Sequence, residues 1–411
     1  MRILGYRLAN DEPVTINDRD WRQHAYAIGG SGSGKTTWLE SLMADDIASG
    51  RGFCYIDKHG DSAKRIADGS PQPILYWRPA SLSHVIGLNP LHNVAPDDRW
   101  KVTADIVAVF SDIWGLGEHT PRLIYFLRAA LRLLLDTHGT TLLDIRRVLS
   151  DAAYRRALIT RWRDGETRQT WREFEAKDAR QQTQEIGSLQ NKVAALADAL
   201  PLRLILSQRT STIHMRRIID AGTNLVCDFS GLGDEPARLL GALLVSSLSQ
   251  AAESRSDIAE SARRDYTLYI DEFQNFASLA FAKILSESRK HHLSIVLCHQ
   301  YVGQITERGL HEAVLGNCGT LVAFRIGAED APLLARALGA PESELSSLSR
   351  GHAYVRTLID GQPTDARPMA VAMAELGTGR LAKAIAHTSA NFARPRKLAE
   401  RREPVRRLDW R

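Results

Sequence analysis

The chain has 411 residues, of which 44% are hydrophobic and 25% charged. This is the balance of a folded protein and excludes a disordered chain. Lys and Arg number 53 against 48 Asp and Glu, giving a net charge of +5, which suits a polyanionic partner without requiring one. The four cysteines are scattered with no C-x-x-C pair, so they read as reduced core residues and exclude a disulfide scaffold or a zinc ribbon.

No run approaches the roughly 18 uninterrupted apolar residues of a membrane span. The N-terminus also lacks a signal-peptide core, so the expectation is a cytoplasmic protein without a membrane span.

Residues 1–24 carry two short apolar runs, Ile3–Tyr6 and Val14–Ile16, that suit either a small hairpin or an added edge of a larger sheet. Ala25–Ile28 reads as a buried strand, and Thr37–Ser49 as a helix with Leu39, Leu42, Met43 and Ile47 on one face. Between them Gly29-Gly30-Ser31-Gly32-Ser33-Gly34-Lys35-Thr36 fits G-x-x-x-x-G-K-[ST] without a mismatch.

Glycines let successive N–H groups curl around phosphates at the positive end of the helix dipole. Lys35 is expected to reach the β- and γ-phosphates of ATP, and Thr36 to hold Mg²⁺. Thr37 completes the nucleotide-binding set.

Phe53–Asp57 is the next strand, followed by Lys58-His59-Gly60-Asp61 at a strand end, which is either a ligand edge or a structural turn. Another strand falls at Ile74–Trp77. From Pro96 the periodicity stays helical for about a hundred residues, with helices expected over Asp98–Trp114, after Thr120-Pro121 and after the capping box Thr141–Asp144, and a polar stretch over Arg172–Leu200. Trp100, Trp114, Trp162 and Trp171 read as helix-packing aromatics.

Strand and helix then alternate again. The runs are Asn224–Phe229, a helix over 234–253, Tyr266–Glu272, a helix over Leu279–Lys290, Ser294–Cys298, Thr320–Phe324 and a helix over Glu329–Leu338. Ala353–Leu358 and Pro368–Met373 flank Asp360-Gly361 as a hairpin.

The alternation predicts an α/β protein with a mostly parallel sheet flanked by helices and an all-α insertion, and with the phosphate loop the expected fold is that of a P-loop NTPase (RecA-like). The expected divisions are 1–95 and 207–375 for the two parts of the ATPase domain, 96–206 for the insertion and 376–411 for a basic C-terminal tail. Arg394, Arg396, Lys397, Arg401, Arg402, Arg406 and Arg407 in that tail suit either added grip on phosphates or a solvated segment.

Hydrolysis needs a metal-anchoring carboxylate and a group that orients water. Leu268-Tyr269-Ile270-Asp271-Glu272 supplies both in the manner of a Walker B motif: Asp271 for the metal, Glu272 for the nucleophile. Gln300, after the strand Ser294–Cys298, is placed either to sense the γ-phosphate or as a loop residue.

The phosphate loop, Tyr55–Asp61, Asp271-Glu272, His299-Gln300, and Asn317-Cys318-Gly319-Thr320 with Phe324-Arg325 and Asp330 together resemble the HerA/FtsK superfamily of ring-forming DNA pumps. Over about residues 20–375 the chain is most similar to the cytosolic motor domains of type IV secretion coupling proteins of the TraD/TraG kind. The resemblance implies a homo-hexameric ATPase that threads DNA through a central pore and uses ATP and Mg²⁺, with a possible protein partner at a membrane or secretion complex.

It also implies an arginine acting in the neighbouring subunit's site. Arg289 holds that position, and it also suits a helix C-terminal cation. Arg325 is a second candidate, or a salt-bridge partner of Asp330. Two features depart from the family: no N-terminal membrane helices, and Lys58 where proline is common. The 24 residues before the loop are too few for a HerA barrel. The alternatives to a DNA motor are a protein-recruiting secretion ATPase and a nucleotide-switched scaffold that does not move DNA.

Overall fold

The computed structural model describes residues 1–160, 165–276, 279–305 and 308–400. Trp162 and the arginines beyond residue 400 lie outside them. The strands are β1 (Arg2–Arg7), β2 (Pro13–Ile16), β3 (Ala25–Ile28), β4 (Gly52–Asp57), β5 (Leu75–Trp77), β6 (His84–Val85) and β7 (Leu225–Asp228). There follow β8 (Tyr266–Ile270), β9 (Leu293–His299), β10 (Thr320–Ala323), β11 (His352–Arg356), β12 (Leu358–Ile359), β13 (Gln362–Pro363), β14 (Arg367–Ala370) and β15 (Arg394–Pro395).

The chain divides into two units. The first comprises residues 1–78, 215–230 and 248–390 and holds an 11-stranded sheet in the order β2-β1-β14-β11-β10-β3-β9-β8-β4-β7-β5. Strands β10, β3, β9, β8, β4, β7 and β5 run parallel. Their residues are almost all buried, as near-continuous apolar runs require when helices cover both faces.

The N-terminal runs do both things their sequence allowed. They pair as an antiparallel hairpin, and β1 joins β14 to extend the sheet. β11 and β14 pair antiparallel as expected, and the short ribbon β12–β13 carries the Asp360-Gly361 turn, whose N–H groups donate to Asp20 at 2.8 and 2.9 Å.

The helix after the phosphate loop, Lys35–Ala48, buries Leu39, Leu42, Met43 and Ile47 together with Trp38, whose indole N–H donates to Leu4 O at 2.9 Å. Beneath it, Arg2 is 1% exposed and ion-paired with Asp46, itself 0% exposed. Asp46 also accepts from Tyr269 Oη at 2.7 Å and from Arg51 Nε at 2.8 Å. The hairpin, the loop helix and β8 are thereby tied by one buried polar network.

Among the described residues, the second unit comprises those within 79–214, 231–247 and 391–400. The expected insertion boundaries of 96 and 206 are therefore corrected. The onset of helical periodicity marks where helices begin, whereas residues 79–95 already belong to this unit through tertiary bonds: Asn89 Nδ2 donates to Thr140 O and Arg209 O at 2.8 and 2.9 Å, and Gly87 N to Thr212 Oγ1 at 2.9 Å. Its helices include Arg99–Trp114, Pro121–Leu135, Gly165–Glu175 and Ala179–Asp198.

The polar stretch from Arg172 is thus two helices, divided because Asp178 and Gln181 form a reciprocal capping box. At the expected Thr141 box only the returning half forms, with Thr141 N donating to Asp144 Oδ2 at 2.9 Å. Trp114 stacks on Phe110 and Trp171 packs against Phe126 and Phe174. Trp100 is 65% exposed, with the neighbouring Lys101 ammonium 5.8 Å from its ring centroid.

The basic tail is also corrected. Leu381–Phe392 is a helix, of the first unit up to residue 390, capped by Asp68, which accepts from Gly379 N and Leu381 N at 3.0 and 2.8 Å. Thr388 Oγ1 accepts from Tyr76 N at 2.8 Å and so occupies the outer edge of β5. Arg394–Pro395 pairs with β6, and Arg396–Ala399 forms a further turn of helix. All four cysteines are free and buried. No helix of the described residues is long and apolar enough to cross a membrane.

Candidate active site

Strand β3 ends at Ile28 and the loop begins at the carboxyl edge of the parallel strands, where open α/β sheets bind ligands. Gly29 N donates to His299 O at 3.3 Å and Gly30 N to Arg325 O at 2.8 Å, so the two strands beside β3 anchor the start of the loop. Ser31 and Gly32 form its exposed crest, while Ser33 is buried.

Gly34 is the N-cap of the helix at φ +123°, a conformation that strains any residue with a Cβ. Lys35 is 6% exposed and its ammonium donates to Gly29 O and to Gly30 O, the latter at 3.2 Å. Thr36 and Thr37 follow in the first turn of the helix, both half-buried.

The acids lie on one flank of this loop. Thr36 Oγ1 donates to Asp271 Oδ2 at 3.0 Å. Burial, with Glu272 and Asp57 close by, pushes the Asp271 carboxyl up to about 6, against the opposing effects of Thr36 and Lys35. A hydroxyl and a buried carboxylate at this spacing are hard oxygen donors suited to Mg²⁺, and the loop N–H groups with Lys35 suit a nucleotide's phosphates. The residues present therefore fit a nucleoside triphosphate with its magnesium ion.

Glu272 has φ +55°, an uncommon left-handed conformation for a residue with a side chain. At this turn its carboxylate meets two amides: Gln300 Nε2 donates to Glu272 Oε1 at 2.9 Å and Gln274 Nε2 to Oε2 at 2.5 Å. Gln300 is itself held, its backbone N donating to Gln304 Oε1 at 2.9 Å. The structure thus brings Lys35, Thr36, Asp271, Glu272 and Gln300 together.

It does not bring the arginines there. Arg289 is exposed, ahead of β9, while Gln300 follows the end of that strand. Seven strand residues at about 3.3 Å each put them roughly 23 Å apart, at opposite edges of the sheet. Arg325 stands beside the loop by its main chain with its side chain exposed. The alternative of a salt bridge from Arg325 to Asp330 is not found among the described residues; Asp330 Oδ2 accepts from Val302 N at 3.1 Å. His59 and Asp61 are exposed, and Asp57 organises their turn by accepting from His59 N and Ala63 N, each at 2.9 Å.

Several residues at the site carry no motif of their own. Gln274 looks like a loop residue, and only its second position after Glu272 hints at its contact. Gly351 N donates to Ser33 O at 2.8 Å across more than three hundred residues of sequence, with no local signal. Tyr26 Oη and His299 Nε2 are hydrogen-bonded between β3 and β9, and burial pushes His299 down to about 3, so its ring stays neutral.

Residues 265–357 match the family model described as the TraM recognition site of TraD and TraG. The fold is similar to that of the plasmid coupling protein TrwB in complex with ADP and Mg²⁺, at a TM-score of 0.68 and 15% identity over 93% of this chain and 92% of that one. It is similar also to VirB4 of Thermoanaerobacter pseudethanolicus, at a TM-score of 0.61 and 14% identity over 91% of this chain and 96% of that one.

The type 4 coupling protein DotL of Legionella pneumophila is 42% identical over 57 residues, which are 14% of this chain and 7% of that protein. The resemblance to TraD/TraG-type P-loop proteins carried by the motifs is borne out in the fold and in this part of the sequence.

Proposed function

We propose that the chain is the ATP-hydrolysing subunit of a homo-hexameric ring that binds and translocates DNA, in the manner of type IV coupling proteins. The observation that carries this reading is the Glu272 carboxylate, held by Gln300 at 2.9 Å beside the Thr36–Asp271 pair. A site that only bound nucleotide would need no second, amide-oriented acid.

In this reading the loop N–H groups and Lys35 would cradle the phosphates, and Thr36 and Asp271 would hold Mg²⁺, which would supply neutralisation of the phosphate charge. Glu272 orients and polarises the attacking water, and Gln300 holds Glu272 in place while reading the γ-phosphate. Arg289 cannot reach its own Gln300 and serves the neighbouring subunit, where such a residue is worth on the order of 10³ to 10⁵ in rate. Arg325 is the alternative for that role. Neutralising phosphates with Lys and Arg gives grip without sequence preference, which suits a motor.

A second reading, a secretion ATPase that recruits a protein, is favoured by the description of the family model over residues 265–357 as a TraM recognition site. The test is steady-state ATP hydrolysis with and without long single- and double-stranded DNA. DNA should raise turnover several-fold, and Glu272→Gln should lower it by about 10² to 10⁴. Turnover indifferent to DNA but raised by a protein partner favours the second reading. Weak turnover with ATP-dependent assembly leaves only a nucleotide-switched scaffold.

A further inference from the structure

The metal and water side of the phosphate loop faces one way. Asp271 and Glu272 follow β8 and Gln300 follows β9, and both strands lie on the same side of β3. On the other side of β3 come β10, β11 and β14, and there the loop is held by main chain instead of acids. Gly30 N donates to Arg325 O at 2.8 Å, Gly351 N to Ser33 O at 2.8 Å, and Val371 N to Gly351 O at 2.8 Å.

The approach is close. A Cβ on Gly34 would lie 3.1 Å from the Gly351 Cα, and Gly351 itself has φ +78°. Because β11 is antiparallel to β10, and β14 to β11, the start of β11 and the end of β14 stand at the same edge as the loop.

This flank therefore presents Arg350, exposed and next to the Gly351–Ser33 bond, and Met373, which is 82% exposed and two residues past the Val371–Gly351 bond. Arg350 has no ion-pair partner among the described residues. A nucleoside triphosphate whose γ-phosphate and metal lie by Gln300 and Asp271 carries its nucleoside at the opposite end of the phosphate chain. In that pose the nucleoside would extend toward the β10–β11 flank.

We infer that the Ser349–His352 turn forms the nucleoside side of the site, with Arg350 stacking on the base and Met373 offering it an apolar surface. The inference rests on the nucleotide-binding reading above and adds to it the residues that select the base. A guanidinium is planar and weakly hydrated, so it stacks on aromatic faces where an ammonium would not. The wider face of a purine should be held better than that of a pyrimidine.

The test is calorimetric titration of the full chain, in Mg²⁺, with a non-hydrolysable ATP analogue, its cytidine counterpart and inorganic tripolyphosphate. Wild type, Arg350→Ala, Arg350→Lys and Met373→Ala are compared. Arg350→Ala should weaken the ATP analogue about fivefold, as expected for one stacked guanidinium. It should leave tripolyphosphate unchanged, shrink the preference for adenine over cytosine, and raise KM without lowering kcat. Arg350→Lys should recover little, and Met373→Ala should repeat the nucleoside-selective loss.

Equal weakening of nucleotide and tripolyphosphate would show a phosphate contact and overturn the assignment, as would no weakening at all. A fall in kcat at constant KM would place Arg350 in transition-state stabilisation and also overturn it. If wild type binds tripolyphosphate with no gain from a nucleoside, only this inference fails. If it binds neither, the nucleotide reading fails with it.

Discussion

His24 shows how far a single side chain is committed by its surroundings. It is buried at φ +60°, its Nε2 donates to Leu285 O at 2.8 Å and its Nδ1 accepts from Ile295 N at 3.1 Å. Both ring nitrogens are used, so the imidazole must be neutral, and burial pushes it down to about 4. The unfolded chain takes up the proton near pH 6.5, so the stabilisation is intact above 6.5 and is lost as pH falls toward 4. The loss should be about 3 kcal/mol by pH 4. Thermal unfolding measured across this range should show a falling midpoint, and His24→Asn, which tolerates the left-handed backbone and does not titrate, should flatten the dependence.

At the scale of elements, the N-terminal hairpin and the C-terminal helix are each fastened by one carboxylate. Asp46 is buried against Arg2, Tyr269 and Arg51. Removing it alone leaves the buried Arg2 guanidinium only the partly exposed Asp18, 3.6 Å from its Nε, so Asp46→Ala should cost about 3 kcal/mol in urea unfolding. The double change Arg2→Met with Asp46→Leu should recover most of this, because the penalty lies in the stranded charge. If the single and double variants are equally destabilised, packing and not charge governs the site.

Asp68 caps the helix Leu381–Phe392, and its hydrogen bonds from Leu381 N and Gly379 N hold its pKa below the usual carboxylate range. A depressed carboxylate stabilises above its unfolded pKa and loses that contribution as pH falls through the folded value. Asp68→Ala should therefore loosen this helix at neutral pH, seen as faster amide exchange over Leu381–Phe392 with the sheet unaffected.

At the scale of the whole molecule, the proposed ring would complete each site with an arginine from a neighbour, and Arg289 sits at the opposite edge of the sheet from Gln300. Two inactive variants, Arg289→Ala and Glu272→Gln, should therefore restore part of the turnover when mixed, since some interfaces then pair an intact Glu272 with an intact Arg289. Mixtures no more active than their components would rule out this arginine in trans. What the sequence by itself determined was everything local: the Gly29–Thr36 loop between strand and helix, the Asp271-Glu272 pair, the Gln300 strand end and the order of buried strands. Each is written in contiguous residues and can be read within a short window of the chain.

Only the tertiary structure decided that Gln300 and Gln274 hold Glu272, that Gly351 braces Ser33, that the helical unit begins at Pro79, and that Leu381–Phe392 is folded against β5 and not part of a loose tail. These rest on hydrogen bonds between residues up to hundreds of positions apart. Periodicity within a window carries no record of which distant donor meets which acceptor.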